Sequence, residues 1–228
     1  MKKRVLVTGA EGNLGSAVAQ YFLQSGDVVV GTYHHHRLQG AWTETPDFIW
    51  AQAHLDDPAE VADLAVRGWK GAPFEVLIHC AGGFRFASAD QVSLADLEFL
   101  MGSNLKSAFL LVRELLPKMK AQNFGNIVFV SSQATLQPGV GLSAYAASKA
   151  GLNMLVSSLA AEVRKFKINV NAILPSIIDT PVNRQSMPDA DFNSWVLPAD
   201  LARVVGFLTS PAAECIHGAL IPVAGRVE

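Results

Sequence analysis

Two residues four positions apart, Tyr145 and Lys149, form the clearest chemical pattern in the sequence. On a helix, side chains at this spacing project from one face, about one turn apart. A free phenol has a pKa of about 10, and bringing it to about 7 requires roughly 4 kcal/mol in favour of the phenolate. One ammonium about 4 to 5 Å away supplies roughly 3 to 4 kcal/mol at an effective dielectric near 20. The pair can therefore act as a proton donor near neutral pH, although an isolated Tyr and Lys at this spacing are usually surface residues.

A glycine-rich stretch near the N-terminus predicts a cofactor site for this pair. Residues 5–7 are a short β-branched run typical of a buried strand, and an amphipathic helix pattern begins at Leu14. Between them the glycines are spaced G-x-x-G-x-x-G, which allows a tight turn and brings a pyrophosphate close to the helix N-terminus. In this position the spacing predicts dinucleotide binding. The predicted contacts are Gly9, Glu11, Gly12, Asn13, Leu14 and Gly15.

The end of the second predicted strand bears on which dinucleotide binds. NAD-binding units usually place an Asp or Glu there for the ribose hydroxyls. Here the sequence reads Tyr33-His34-His35-His36-Arg37, without a carboxylate. Arg37 and the histidines suit a 2′-phosphate, so NADP(H) is favoured over NAD(H), with Tyr33, His34 and Arg37 as contacts. A metal site is less favoured, because neighbouring side chains in an extended segment diverge and no acidic or Cys ligand stands nearby. A solvated loop is the other alternative.

Two later segments can complete a cofactor crevice. Asp56, just beyond the third predicted strand, can reach an adenine amino group; equally, Asp56 or Asp57 can only cap the next helix. Small residues follow the fourth predicted strand, where the crevice of a doubly wound sheet leaves room for a cofactor. The predicted contacts there are Ala81, Gly82 and Gly83 for the cofactor and Phe84 for the substrate.

Two long predicted helices, residues 93–121 and 143–166, carry the other candidate residues. Asn104 lies in the first, where a buried amide must find partners such as a water or a backbone carbonyl in a site. Ser132 follows the fifth predicted strand, and Tyr145 and Lys149 lie on the second helix. Strands and helices alternate, so we predict one α/β domain over residues 1–228, a Rossmann fold with a doubly wound seven-stranded parallel sheet and helices on both faces. The predicted strands are 5–7, 28–33, 48–51, 76–80, 126–130, 168–174 and 219–223, with further helices at 58–69 and 199–209.

The irregular stretch 176–198 is long for a compact domain, which is typical of a lid or binding loop. Its apolar side chains Met187, Phe192 and Trp195 can fold over the site and exclude water. The alternative is a packed surface loop. An aromatic ring from this loop, or Phe84, would suit a flat heteroaromatic substrate, and Met187 and Trp195 are predicted substrate contacts.

Composition excludes several function classes. Half of the 228 residues are hydrophobic and the net charge is −2, so a compact protein is expected, without a basic surface for nucleic acid or an acidic membrane. Cys80 and Cys215 lack metal-site spacing and are interpreted as free thiols in a reducing cytoplasm. The N-terminal apolar run is too short for a signal peptide, and no 18-residue apolar run predicts a transmembrane helix.

Over essentially its full length the sequence resembles the short-chain dehydrogenase/reductase family. The matching segments are TGAEGNLG, CAGG, SNLKSAF, the Ser thirteen residues before YAASK, and PSIIDTP. The resemblance implies that Tyr145 is the acid, that Lys149 binds the nicotinamide ribose and lowers the tyrosine pKa, and that Ser132 positions the substrate. It also implies that Asn104 holds a water in the proton relay. Further implied cofactor contacts are Pro175, Ile178 and Thr180, the last two with the nicotinamide carboxamide.

A narrower resemblance links the segment LPSIIDTPVNRQSMPDADFNSW to dihydropteridine reductases. Those enzymes carry an Asp where Tyr33 stands, and they tend to lack the serine that Ser132 supplies. The first hypothesis is therefore a reductase that transfers hydride to a pterin-like ring, with Tyr145 as proton donor. The alternative is a carbonyl or 3-oxoacyl reductase that uses the same Ser–Tyr–Lys site. A cofactor-sensing protein without activity would be expected to lack Tyr145 or Lys149, and both are present.

The expected partners are a small-molecule substrate and further copies of the chain, with neither nucleic acid nor membrane. The helices predicted at 93–121 and 143–166 carry apolar residues on more than one face. We therefore expect a homodimer or homotetramer assembled through these two helices.

Overall fold

The computed structural model describes residues 2–227 and shows a parallel sheet with helices on both faces. Within these residues the sheet has seven strands in the order β3-β2-β1-β4-β5-β6-β7, and each neighbouring pair is parallel. The predicted Rossmann fold with a doubly wound, seven-stranded parallel sheet is confirmed. The strands are β1 (Arg4–Thr8), β2 (Val28–Tyr33), β3 (Phe48–Gln52), β4 (Val76–His79), β5 (Gly125–Val130), β6 (Ile168–Pro175) and β7 (Leu220–Val223).

The helices fall close to the predicted segments. Within residues 2–227, no helix is both long enough and apolar enough to cross a membrane. The helices are α1 (Asn13–Gln24), α2 (Pro58–Arg67), α3 (Leu94–Met101), α4 (Ser107–Gln122), α5 (Ser143–Val163), α6 (Pro181–Ser186) and α7 (Pro198–Leu208).

Each face of the sheet buries its own apolar layer. Helices α2, α4 and α5 cover one face, with Leu64, Leu111 and Val156 among the side chains that pack on the strands. Helices α1 and α7 cover the other face. They pack so closely that a Cβ added to Gly206 of α7 would lie 2.1 Å from the ring of Tyr21 on α1. Burial on both faces explains why the strands read as continuous apolar runs.

The order of the strands places a crevice between β1 and β4. The chain runs outward from β1 through β2 to β3, then returns to pair β4 with the other side of β1. The connections that leave β1 and β4 at their carboxyl ends therefore diverge to opposite sides, which opens a cleft at this edge of the sheet. The glycine-rich turn follows β1, and the Ala-Gly-Gly segment follows β4.

Two predicted segments differ from the structure. The helix predicted over 93–121 is interrupted by a π-helical turn at Gly102–Lys106, between α3 and α4. Such a turn adds a residue to one helical repeat and often lies at a functional site. The stretch 176–198, predicted as irregular, contains α6 and a 3₁₀ turn at Phe192–Ser194.

Candidate active site

The glycine-rich turn packs too tightly for a side chain at Gly9 or Gly15. Gly9 has a φ of +62°, and a Cβ added there would lie 3.0 Å from the backbone of Ala81 after β4. A Cβ on Gly15 would lie 2.0 Å from the carbonyl oxygen of Gly9. The N-cap of α1 is Gly12, so no side chain covers the first N–H groups of that helix. These N–H groups are free to bind an anion such as a pyrophosphate.

A cavity of about 540 Å³ extends from this turn across the carboxyl ends of β2, β3 and β4. Its volume is in the range of cofactor and ligand sites. It connects predicted contacts from separate parts of the chain, namely Gly9, Glu11, Gly12, Tyr33, His34, Asp56, Ala81 and Gly82.

A carboxylate does stand at the end of β2, which corrects the prediction made from the strand alone. Glu11 Oε1 accepts the backbone N–H of His34 at 3.2 Å, so the glycine-rich turn supplies the acid. Glu11 Oε2 is buried and has no hydrogen-bond partner among residues 2–227. A buried carboxylate oxygen without a donor is costly, and a ribose hydroxyl would supply one. The tight turn, this orphaned oxygen and the size of the cavity fit a nicotinamide dinucleotide.

Histidines from two strand ends gather beside Glu11. The ring centroids of His34 and His35 are 3.7 Å apart, and those of His34 and His54 are 4.4 Å apart. Burial, followed by the charges of His35 and His54, lowers the pKa of His34 from its ordinary value of 6.5. The guanidinium of Arg37 lies 5.9 Å from the centroid of the Tyr33 ring. Within residues 2–227, no group of three or more His, Cys, Asp or Glu side chains is arranged to hold a metal ion.

The structure separates the roles of the two aspartates after β3. Asp57 is the N-cap of α2 and accepts the N–H groups of Ala59 and Glu60. Asp56 lines the cavity instead. The sequence left these roles open, and the geometry frees Asp56 to face a ligand.

Asn104 lies in the π-helical turn and is fully buried. Its Oδ1 accepts the N–H of Gly83 at 2.9 Å, and its Nδ2 donates to the carbonyl of Gly83 and to Ser148 Oγ. The side chain therefore ties the segment after β4 to helix α5, which carries the Tyr and the Lys. The predicted role in a proton relay stays a prediction, while the clamp on Gly83 is a feature of the fold.

His79, at the end of β4, is a buried residue that sequence reasoning missed. Thr8 Oγ1 accepts the N–H of Ala81, so its own proton can point to His79 Nδ1 at 2.9 Å. His79 Nε2 lies 3.2 Å from Ser107 Oγ, which donates to the carbonyl of Ser103. This chain joins β1 and β4 to the π-helical turn. Burial, followed by the Lys149 charge, lowers the pKa of His79 to about 3. The sequence feature that could have identified His79 is its position as a polar residue at the end of an otherwise apolar strand.

Replacing His79 with glutamine is expected to lower the free energy of unfolding at neutral pH by about 1 to 3 kcal/mol, because buried hydroxyl partners lose their bonds. In the wild type, the folded-state pKa near 3 lies below the ordinary 6.5. The neutral imidazole therefore stabilises fully above pH 6.5, and this contribution is lost as the pH falls toward 3. Glutamine cannot titrate, so the variant should lose less stability on acidification. Urea unfolding across this pH range measures both effects; an equal acid dependence in the two proteins would contradict the assignment.

Tyr145 lies in the first turn of α5 and is half-buried. Burial raises the pKa of its phenol, and a hydrogen bond with Ser132 partly offsets this effect. Ser132 Oγ also accepts the N–H of Ala134 at 3.2 Å, which fixes the serine at the end of β5. The ring of Phe84 stands edge to face against Tyr145, with centroids 5.0 Å apart. The phenol is therefore protonated at neutral pH and borders an exposed aromatic surface.

Lys149 is 5% exposed and donates from Nζ to the carbonyl of Val130 at 2.9 Å. Burial lowers the pKa of its ammonium to about 8. The predicted lowering of the Tyr145 pKa by Lys149 stays a prediction, and Ser132 is a second group that lowers this pKa. The ammonium borders the cavity at Gly82, where an added Cβ would lie 3.1 Å from Nζ. Lys149 thus borders the cofactor cavity from the same helix that carries Tyr145.

The segment after β6 holds the remaining candidate residues. Ile178 pairs with Val196 in an isolated β-bridge, and Thr180 caps α6 by accepting the N–H of Asn183. Pro175 is the buried last residue of β6, and Met187 is the half-buried C-cap of α6.

Trp195 is less available to a substrate than the sequence suggested, and its predicted substrate contact stays a prediction. Its side chain is only 6% exposed, and its ring packs 4.8 Å from that of Phe192. Apolar burial outcompetes exposure for so large a ring, and the alternative of a packed loop holds at this position.

The chain is similar to known proteins over nearly its full length. A family model described as short chain dehydrogenase matches residues 3–191. The chain is 32% identical over 239 residues to the 3-oxoacyl-(acyl-carrier-protein) reductase MabA of Mycobacterium tuberculosis, covering 99% of this chain and 92% of that protein. It is 30% identical over 240 residues to a tropinone reductase homolog of Arabidopsis thaliana, covering 98% and 90%. A solved structure described as a short chain dehydrogenase/reductase family protein superposes with a TM-score of 0.86 at 28% identity, covering 97% and 95%.

Proposed function

This chain belongs to the short-chain dehydrogenase/reductase family of oxidoreductases, and we propose that it is an NADPH-dependent reductase of the ketone in a 3-oxoacyl thioester or a related carbonyl compound. The observation that carries the proposal is that the Ser132 hydroxyl is close enough to the Tyr145 phenol to lower its pKa, on the helix from which Lys149 reaches the cavity at Gly82. Two hydroxyl groups at one point suit a carbonyl oxygen, which can accept both. The name of the mycobacterial relative supports the same substrate class.

The mechanism assigns one role to each of these side chains. A bound nicotinamide supplies a hydride to the substrate carbon. Tyr145, protonated because burial raises its pKa, donates its proton to the carbonyl oxygen as negative charge develops there. Ser132 donates a hydrogen bond to the same oxygen and stabilises that charge. Lys149, from its position beside Gly82, would hold the ribose hydroxyls of a bound cofactor, and its ammonium would favour the phenolate left on Tyr145.

A pterin-like ring is the second candidate substrate, and Phe84 is the observation that favours it. The Phe84 side chain is 55% exposed although it lies against Tyr145. An exposed aromatic face beside the proton donor offers a stacking surface for a flat heterocycle. The sequence resemblance to dihydropteridine reductases in the segment after β6 points the same way.

The test is NADPH oxidation by the purified protein with an acetoacetyl thioester, simple ketones and quinonoid dihydropterin, measured side by side. The proposal expects robust turnover of the thioester or ketones. Turnover of the dihydropterin alone would replace the first candidate with the second. Phe84→Ala separates them further, because it should raise KM for a pterin much more than KM for an aliphatic thioester.

Replacing Ser132 with alanine is expected to lower kcat for ketone reduction by about 10²-fold, the usual effect of removing one donor to a developing oxyanion. Turnover of a pterin should fall less, since charge there spreads over a conjugated ring. Steady-state kinetics on both substrates measure the difference. Circular dichroism checks the fold, because the variant also loses the bond to the Ala134 N–H. An unchanged kcat for the ketone would contradict the role of Ser132.

The preference for NADP(H) is part of the proposal and rests on the cluster at the end of β2. His34 and His54 line this end of the cavity, His35 packs against His34, and Arg37 lies over the Tyr33 ring, so this cluster can face a 2′-phosphate. Glu11 stands on the same side and acts against a 2′-phosphate, so the balance between these groups sets the preference.

We also propose that the enzyme assembles as a homodimer or homotetramer through helices α3, α4 and α5. Large apolar side chains on these helices are exposed: Leu97 by 37%, Phe99 by 41%, Met101 by 37%, Phe109 by 54% and Met154 by 66%. A surface of this kind is typical of contacts between copies. Sedimentation showing a monomer at micromolar concentration would refute the assembly.

The free thiols Cys80 and Cys215 favour a reducing cytoplasm as the compartment.

A further inference from the structure

The edge of the cavity beside β2 combines a fixed acid with several titratable bases. Glu11 Oε1 is held by the N–H of His34, and Glu11 Oε2 is buried without a partner among residues 2–227. The His34 ring lies between those of His35 and His54, at 3.7 and 4.4 Å. His54 is held by Glu60, whose carboxylate lies 2.9 Å from its Nδ1. An acid and several bases therefore lie within a few ångströms of one another at this edge of the cavity.

The two possible cofactors place different groups against this edge. Without a 2′-phosphate, the ribose presents a hydroxyl that can donate to the orphaned Glu11 oxygen. With a 2′-phosphate, a group with about −1.5 to −2 charges near neutral pH meets that carboxylate. Repulsion from Glu11 then has to be offset by cations. An arginine guanidinium stays cationic at physiological pH, whereas histidine is the side-chain type whose charge can change in that range.

We propose that Glu11 and the cluster of His34, His35 and His54 form a proton-linked cofactor selector, in which NADPH is preferred when His34 is protonated and NADH gains as His34 loses its proton. This inference rests on the proposed function, because it requires a nicotinamide dinucleotide in the cavity. It makes the cofactor preference a property of pH as well as of sequence.

The sign follows from every charged group that faces His34. Burial and the neighbouring His35 and His54 lower the pKa of His34 below 6.5, while Glu11 and Asp56 act in the opposite direction. At neutral pH the His34 imidazole is therefore mostly neutral without ligand. A 2′-phosphate adds negative charge and favours the protonated form, so NADPH binding must take up protons. The ribose hydroxyl of NADH adds no charge at this point, so NADH binding takes up fewer.

The selector predicts that the ratio of NADPH to NADH affinity falls about tenfold, or about 1.4 kcal/mol, from about pH 5 to about pH 8. The second ionisation of the phosphate, near pH 6, acts in the opposite direction and would strengthen binding to permanent cations. The wild-type protein is titrated with each dinucleotide by intrinsic fluorescence. Adenosine 2′,5′-bisphosphate and adenosine 5′-monophosphate serve as probes without a nicotinamide. Calorimetry in two buffers of different ionisation enthalpy measures the proton uptake.

Variants separate the acid from the bases. Glu11→Gln removes the repulsion and should raise NADPH affinity most at high pH, weakening NADH at the same time. The double substitution His34→Gln and His35→Gln should abolish the pH dependence and the proton uptake. His217→Gln is the matched control, since that histidine contacts Ala160 and Val170 near the amino-terminal end of β6, whereas the cavity lies at the carboxyl ends of the strands. It should keep the wild-type trend.

The outcomes distinguish the selector from the proposed function. A constant affinity ratio without proton uptake, or a trend that survives the double substitution, overturns the selector while both dinucleotides still bind. Failure of both dinucleotides to bind overturns the proposed function, and the selector with it. A falling ratio that the double substitution removes supports the selector.

Discussion

Replacing Tyr145 with phenylalanine is expected to lower kcat for carbonyl reduction by about 10³-fold, within the usual range for loss of a general acid. The phenol is the protonated donor at the site, because burial raises its pKa. Phenylalanine keeps the ring that packs against Phe84, so the shape of the site should persist. Steady-state kinetics give the loss, and fluorescence titration with NADPH gives the affinity of the free cofactor.

The affinity for NADPH should stay within about twofold of the wild type, because Tyr145 is not among the residues that line the cofactor cavity. Loss of the phenol's interaction with Ser132 should cost no more than about 1 kcal/mol of folding free energy. If cofactor binding collapsed along with activity, Tyr145 would be structural. Retention of activity would mean that another group donates the proton.

Replacing Lys149 with methionine is expected to lower kcat/KM by about 10²-fold or more, since a buried ammonium beside the developing phenolate acts as an electrostatic stabiliser. The pKa of Lys149 is lowered to about 8, so the wild-type activity should decline as the pH rises through 8 and the ammonium loses its proton. The variant lacks this titration and should lack that decline. Lys165→Met is the control, because Lys165 is an exposed lysine just beyond α5.

The same substitution should make the folded protein more stable at neutral pH. A pKa that falls from 10.5 to about 8 corresponds to a cost of about 3 kcal/mol for burying the charged lysine. Methionine removes this cost but leaves the Val130 carbonyl without its donor, which costs about 1 to 2 kcal/mol. The net gain of about 1 to 2 kcal/mol should vanish between pH 8 and 10.5, where the folded wild type becomes more stable as Lys149 loses its proton.

Urea unfolding of the wild type and of Lys149→Met at about pH 7 and pH 10 measures the difference in stability between the two proteins and its dependence on pH. A variant that is less stable than the wild type at neutral pH would show that the Val130 bond outweighs the cost of burial. A stability difference that is the same at both pH values would show that Lys149 does not titrate in this range.

Most elements of the fold could be predicted because burial leaves a strong pattern. The strands of a parallel sheet are covered on both faces, so each reads as a β-branched or apolar run, and the predicted limits lie within one or two residues of the observed ones. The π-helical turn at Gly102–Lys106 could not be predicted, because its sequence still fits a continuous amphipathic helix. The extra residue is stabilised by tertiary contacts, above all by Asn104 on the Gly83 backbone.

The candidate site was predictable where chemistry depends on residue type and spacing in the chain. Tyr145, Lys149 and the glycines of the first turn belong to this class. It was not predictable where a side chain finds its partner across the sheet. Glu11 reaches His34 from the neighbouring turn, and His79 bonds to Thr8 and Ser107 from distant segments. The burial of Trp195 likewise depends on how the chain after β6 folds back.

The sequence by itself determined the order of strands and helices, the glycine turn that only small residues can form, and the positions of the proton donor and its lysine. These features depend on local sterics and on which faces are apolar, and both are written in neighbouring residues. Only the tertiary structure decided the charges around those groups. Burial set the pKa of Tyr145 and Lys149, and Glu11 came to face the histidines. Desolvation and Coulomb interactions depend on distances between chain segments that sequence spacing does not contain.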